Sequence, residues 1–199
     1  MVTVTRELDI VYAEALEDDA ELGGQRCDDL VEAASYWRRA GEHDRARRAL
    51  LAAVDADDGT GFSDPRASYA EYLMARGSET EADRLFTGLL HSGSTREQTY
   101  LAAATAYAGA RRIREAIRWT NVGIQRVAPD GFEPDLAGGD PGYELLALRR
   151  GLRRGLGAPA DALDEQFDAA VRRGDQLRDR IRRLREPASA HRTTGQAGT

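Results

Sequence analysis

Small and apolar side chains recur along the middle of this chain at an interval too long for one helix and too regular for chance. Gly41 stands five residues before Ala46 and seven after Ala34, and Gly77 holds the same place between Ala70 and Ala82. Arg111 occupies it a third time, between Ala104 and Ala116, so the intervals are 36 and 34 residues. A period in the thirties, with small residues fixed where helices must approach closely, marks stacked helical hairpins. The predicted fold class is therefore all-α: an α-solenoid of about three antiparallel hairpins, with an N-terminal helix and a C-terminal helix pair.

Within that frame the helical spacing of apolar positions predicts the elements. Residues 5–22 read as a first helix, with Leu8, Val11, Tyr12, Ala15 and Leu16 as the inward side and Glu7, Glu14, Glu17 and Asp18 as the solvated one; residues 1–26 form an N-terminal cap. Three hairpins follow over 27–127. The first has Leu30, Ala33, Ala34 and Trp37 on helix A and Ala46, Leu50 and Ala53 on helix B. The second begins at Asp64-Pro65, an N-cap followed by a proline that loses no hydrogen bond in the first turn. Its inner face runs through Tyr69, Ala70 and Leu73, then Ala82 and Phe86. Ser78 with Glu81, and Ser94 with Glu97, have capping-box spacing. The third hairpin carries Tyr100, Ala103, Ala104 and Tyr107, then Ala116.

After Val127 the rhythm stops. Prolines, glycines and aspartates crowd residues 128–142, which predicts an irregular loop. Over 143–186 a helix pair is expected, a degenerate fourth hairpin in which Gly157 and Ala162 repeat the spacing of five. Leu163, Phe167, Ala170, Gly174, Leu177, Ile181 and Leu184 alternate by four and three along its second helix. That seam has two readings, a cap on the last repeat or a helix that self-associates into a homodimer. Residues 187–199 read as a polar, disordered tail.

These repeats resemble the tetratricopeptide family, over roughly residues 28–127. Tyr69, Ala70, Leu73, Ala82 and Phe86 match its pattern best, and the first and third repeats follow it with Thr120 in place of a helix-B aromatic, Arg111 in place of a turn glycine and no terminal prolines. The resemblance implies that the A helices line a groove that binds a protein or peptide. By the family's geometry the groove-facing residues are Asp28, Val31, Ser35, Arg38 and Arg39, then Asp64, Ala67, Glu71 and Met74, then Gln98, Leu101 and Thr105. The branch of the family that grips chaperone carboxylate tails uses lysines and asparagines; this chain has no lysine and none of these positions is asparagine.

Composition narrows the function classes. All 28 basic residues are arginine, as in GC-rich bacterial coding. Residues 1–142 carry 16 arginines against 26 acids, whereas 143–199 carry 12 against 8. Net charge is −6, so nucleic-acid binding through the Arg-rich C-terminal helices stands below the adaptor reading, with a ligand-sensing module as a further alternative. No signal peptide or apolar span is expected, and the single Cys27 agrees with a reducing, cytoplasmic setting. No catalytic, cofactor or metal site is expected. The histidines lack a second ligand at metal spacing, Cys27 sits beside two aspartates without an identifiable base, and in the Asp55–Asp58 run Gly59 falls too early for a calcium loop and Arg66 stands where its closing glutamate belongs.

Overall fold

The computed structural model describes residues 2–23, 25–129 and 142–185. Among them are nine helices and no strand: α1 (Val2–Leu22), α2 (Arg26–Arg39), α3 (His43–Ala56), α4 (Pro65–Ala75), α5 (Glu79–Ser92), α6 (Glu97–Gly109), α7 (Ile113–Val127), α8 (Tyr143–Gly155) and α9 (Ala162–Arg185). Most of the expected irregular segment, and all of the tail from 187, lie outside the described residues.

The hairpins are α2/α3, α4/α5, α6/α7 and α8/α9, and their first helices stack on one another in chain order, α2 on α4, α4 on α6, α6 on α8. This is an α-solenoid of antiparallel helix hairpins. What makes each pair reverse is one turn used four times. The backbone N–H of Glu42, Ser78, Arg112 and Ala158 donates to the carbonyl five residues back, at 2.8, 2.9, 2.8 and 3.0 Å. The residue before each sits in the left-handed region: Gly41 at φ 80°, Gly77 at 81°, Gly157 at 68°, and Arg111 at 62°. Three glycines adopt that conformation without steric cost, and arginine does so only under strain.

Helix starts are less uniform. Asp64 caps α4 as expected, accepting from Arg66 N at 3.0 Å with Pro65 in the first turn. Neither serine box forms. Ser78 makes no side-chain cap bond. Ser94 lies two residues ahead of the Arg96 cap and accepts from Arg96 N at 3.2 Å, while Glu97 Oε1 is buried with no hydrogen-bond partner among the described residues.

The core runs between the two helix rows. Ala46, Ala82 and Ala116 are fully buried, as the period requires, and Phe86 meets Tyr107 at 5.2 Å between ring centroids. Trp119 supplies the helix-B aromatic of the third repeat, one residue before the expected position. It lies 5.6 Å from Phe86 and 5.9 Å from Tyr100, and Thr120 is buried with its hydroxyl donating to Ile117 O. Gly123 lets α7 close on α6, since a Cβ there would lie 2.7 Å from the Tyr100 Cβ.

On helix α1 the apolar side departs from the sequence expectation. Its buried positions are Asp9, Ala13 and Ala20, while Leu8, Val11 and Tyr12 are exposed. Asp9, Glu14 and Glu17 turn toward the first hairpin, where two arginines and an indole N–H meet them, while Glu7 and Asp18 stay exposed as expected. Arg39 binds Asp9 at 2.9 Å, Arg45 binds Glu14 at 3.1 Å, and Trp37 Nε1 donates to Glu17 at 2.9 Å.

The last hairpin is held by ions rather than by its expected alanine, for Ala162 is exposed. Arg149, 5% exposed, donates to Asp164 at 2.7 Å, to both Asp161 oxygens at 3.0 and 2.5 Å, and to Asn121 at 2.6 Å. Arg153 reaches Asp164 at 2.8 Å and Arg150 reaches Asp168 at 2.9 Å. Of the apolar seam on α9, Ala170 and Gly174 are buried and Leu163 and Phe167 half-buried, but Leu177 and Ile181 are exposed. The Leu184 side chain lies outside the described residues.

Candidate functional site

Stacking first helices side by side leaves a cleft between each neighbouring pair, because helix axes stand about 8–10 Å apart and side chains fill only part of the furrow. Between α2 and α4 the cleft has a volume of about 460 Å³. Ser35, Arg38 and Arg39 form one wall, Tyr72, Ala75 and Arg76 the other, and His43 closes the end. Its floor is ordered by Tyr72, whose hydroxyl donates to the His43 carbonyl at 3.0 Å.

Between α4 and α6 a cleft of about 290 Å³ is lined by Ser68 and Glu71 on one side and Gln98, Leu101, Ala102 and Thr105 on the other. Phe62 and Ser63 stand at its rim, and the Phe62 ring is 72% exposed. Asp28 fixes that rim by accepting from Phe62 N at 3.0 Å.

The charges in the two clefts differ in how well they are met. Arg39 is bound to Asp9 and lies over the Tyr36 ring at 4.0 Å, so its half-exposed cation is already paired, and the Asp9 hydrogen bond raises its pKa. Arg38 reaches Glu71 only at 3.7 Å. Burial pushes the Glu71 carboxyl above the usual glutamate range, and Arg38 offsets this only in part. Arg76, exposed at the end of α4, has no acidic partner among the described residues.

Of the groove residues expected from sequence, Ser35, Arg38 and Arg39 line the first cleft and Glu71, Gln98, Leu101 and Thr105 the second. Four do not. Ala67 is fully buried and Met74 is 7% exposed, because α4 is packed against α2, α3, α5 and α6 and little of its surface beyond Ser68, Glu71 and Ala75 stays open. Asp64 is buried as a helix cap, and Val31 packs beside Ala20, Cys27, Leu30 and Ala53 at the first hairpin's end. A third cleft escaped the sequence reading. It spans about 430 Å³ beside α8, lined by Ile113, Leu148, Leu152 and Leu156 among others. Leu148, Leu152 and Leu156 lie at helical spacing on one side of α8, and spacing alone does not say that this side stays open.

The other candidate chemistries have plain structural surroundings. The Cys27 thiol is buried and pushed up to about 11, by burial first and then by Asp57, so it stays protonated near neutral pH. Asp57 accepts from Arg96 at 3.2 Å, which ties the loop before α4 to the start of α6. His91 Nδ1 lies 2.7 Å from Thr87 O, and His191 falls outside the described residues. Among the described residues no cluster of three His, Cys, Asp or Glu side chains has the geometry to hold a metal ion, and no helix is long and apolar enough to cross a membrane.

The class defined by fold and clefts is thus an all-α helical-repeat protein with an open row of first helices. Comparison with protein-family models, with curated proteins and with solved structures found no match.

Proposed function

We propose that this chain is a non-catalytic interaction scaffold, similar to tetratricopeptide proteins, that binds a peptide segment or protein surface along the α2–α4–α6 face. Glu71 is the observation that carries this reading. A carboxylate costs free energy when it is removed from water without a close cation, and Arg38 at 3.7 Å answers it loosely. A partner that brings a basic or amide group to Glu71 relieves that cost, and an acidic group on it pairs with the exposed Arg76 of the neighbouring cleft. The Leu101 and Phe62 side chains in the Glu71 cleft supply apolar contact. Three of the four arginines on α8 are engaged by Asp161, Asp164 and Asp168, which leaves that helix little free cation for a nucleic acid.

Affinity capture with the full chain, compared with Glu71→Gln and Arg76→Glu, tests the reading. Retention of the captured partners is expected to fall about tenfold or more in each variant, at an unchanged melting temperature. Equal retention by both variants would overturn it. Bacterial origin and a cytoplasmic setting belong to the same proposal, supported by the lysine-free composition and the single buried thiol.

A further inference from the structure

Among the described residues two amphipathic surfaces, one on the first helix and one on the last, are exposed. On α1, Leu8, Val11 and Tyr12 are 51, 59 and 54% exposed. At 100° per residue they share one face with Ala15 and Leu22, and the Tyr12 ring continues the patch onto Tyr36 at 5.3 Å. On α9, residues 175–183 are all exposed, and Leu177 and Ile181 stand one turn apart on the same side. Apolar stripes of this kind on a helix mark contact surfaces.

Their charges are opposite. Helix α1 carries seven acids and one arginine, and Glu7, Asp18 and Asp19 are exposed within about 100° of its apolar stripe. Residues 175–185 of α9 carry five arginines against two aspartates. Asp175 and Asp179 engage Arg178 and Arg182, which leaves Arg180 and Arg183 without a carboxylate among the described residues.

We propose that the distal half of α9 in one copy of this chain docks on the outward face of α1 in a second copy, joining the molecules head to tail. Pairing α1 with α1 sets acids against acids, and pairing α9 with α9 sets arginines against arginines. Only α9 on α1 matches apolar stripe to apolar stripe and arginine to acid. Residues 186–199 hold no Leu, Ile, Val, Met, Phe, Tyr or Trp. The two surfaces differ, so the contact is heterologous and leaves a free α1 at one end and a free α9 at the other. The matched stripes span only about 10 Å, so each junction is weak and salt-sensitive. This inference stands apart from the cleft reading.

Sedimentation velocity of the full chain over a concentration series tests it, with Val11→Glu and Ile181→Glu as variants at exposed sites whose folding is checked by their melting curves. Wild-type chains should grow past the dimer at low salt, and raising NaCl from about 0.05 to about 0.5 M, which shortens the screening length about threefold, should reverse this. Each variant alone should be monomeric. An equal mixture of the two should give a dimer and nothing larger, since one intact α1 and one intact α9 remain. A wild type that stays monomeric at every concentration, a Val11→Glu chain that still associates, or a mixture that stays monomeric would each overturn the proposal.

Discussion

Arg111 holds the left-handed backbone that glycine holds at positions 41, 77 and 157, and for a residue with a Cβ that conformation costs about 1–2 kcal/mol. Arg111→Gly removes the strain but loosens the unfolded chain. The net expectation is a gain of about 0.5 kcal/mol in urea unfolding, whereas Gly77→Ala should lose about 1 kcal/mol. Gly123 is the opposite case. Its Cβ would lie 2.7 Å from both the Tyr100 Cβ and the Leu145 Cδ1, and the first of these cannot swing away. Gly123→Ala should therefore destabilise by about 1–3 kcal/mol in the same assay. The sequence pattern marked Gly41 and Gly77 through their spacing, but it gave no sign of Gly123, because a helical glycine shows its purpose only when the facing tyrosine is in place.

At the scale of elements, the α8/α9 hairpin depends on carboxylates. Asp164 is 1% exposed and accepts from both Arg149 and Arg153, so Asp164→Ala leaves a buried guanidinium partly unmet. A loss of about 3 kcal/mol is expected by urea denaturation. Asp161 adds a pH dependence. Its hydrogen bonds from Arg149 lower the carboxyl from 3.8 to about 2 in the folded protein. A carboxyl with a lowered folded pKa contributes stability above its unfolded value, which is lost as pH falls toward the folded one. Melting temperature should drop between about pH 4 and 2, and Asp161→Asn should flatten that drop. Here the limits of sequence are clear. The hairpin was legible from Gly157 and the leucine spacing, but not the ion cluster, since Arg149 and Asp161 declare nothing about each other until the turn brings them together. Helix α1 was misread for a related reason. Amphipathicity gives two faces without saying which one turns inward, and Arg39, Arg45 and Trp37 settle that choice from another element.

For the whole molecule, the small-residue period was enough to place three stacked hairpins, and the Gly157–Ala162 spacing pointed to a degenerate fourth. The clefts were half legible. Ser35, Arg38, Glu71, Leu101 and Thr105 follow from position within a hairpin, whereas Met74 and Ala67 are hidden by neighbours on four sides, which no single helix can foretell.

The aromatic knot of Phe86, Tyr100, Tyr107 and Trp119 joins the second and third hairpins, whereas the outer helices add to their apolar contacts the ion pairs Arg39–Asp9 at one end and Arg149–Asp164 at the other. Linear arrays open where neighbour coupling is weakest. Warming or acid should therefore fray this protein from its rims inward, with α6 amides last to take up deuterium; uniform exchange across all hairpins would mean the array melts as a single block instead.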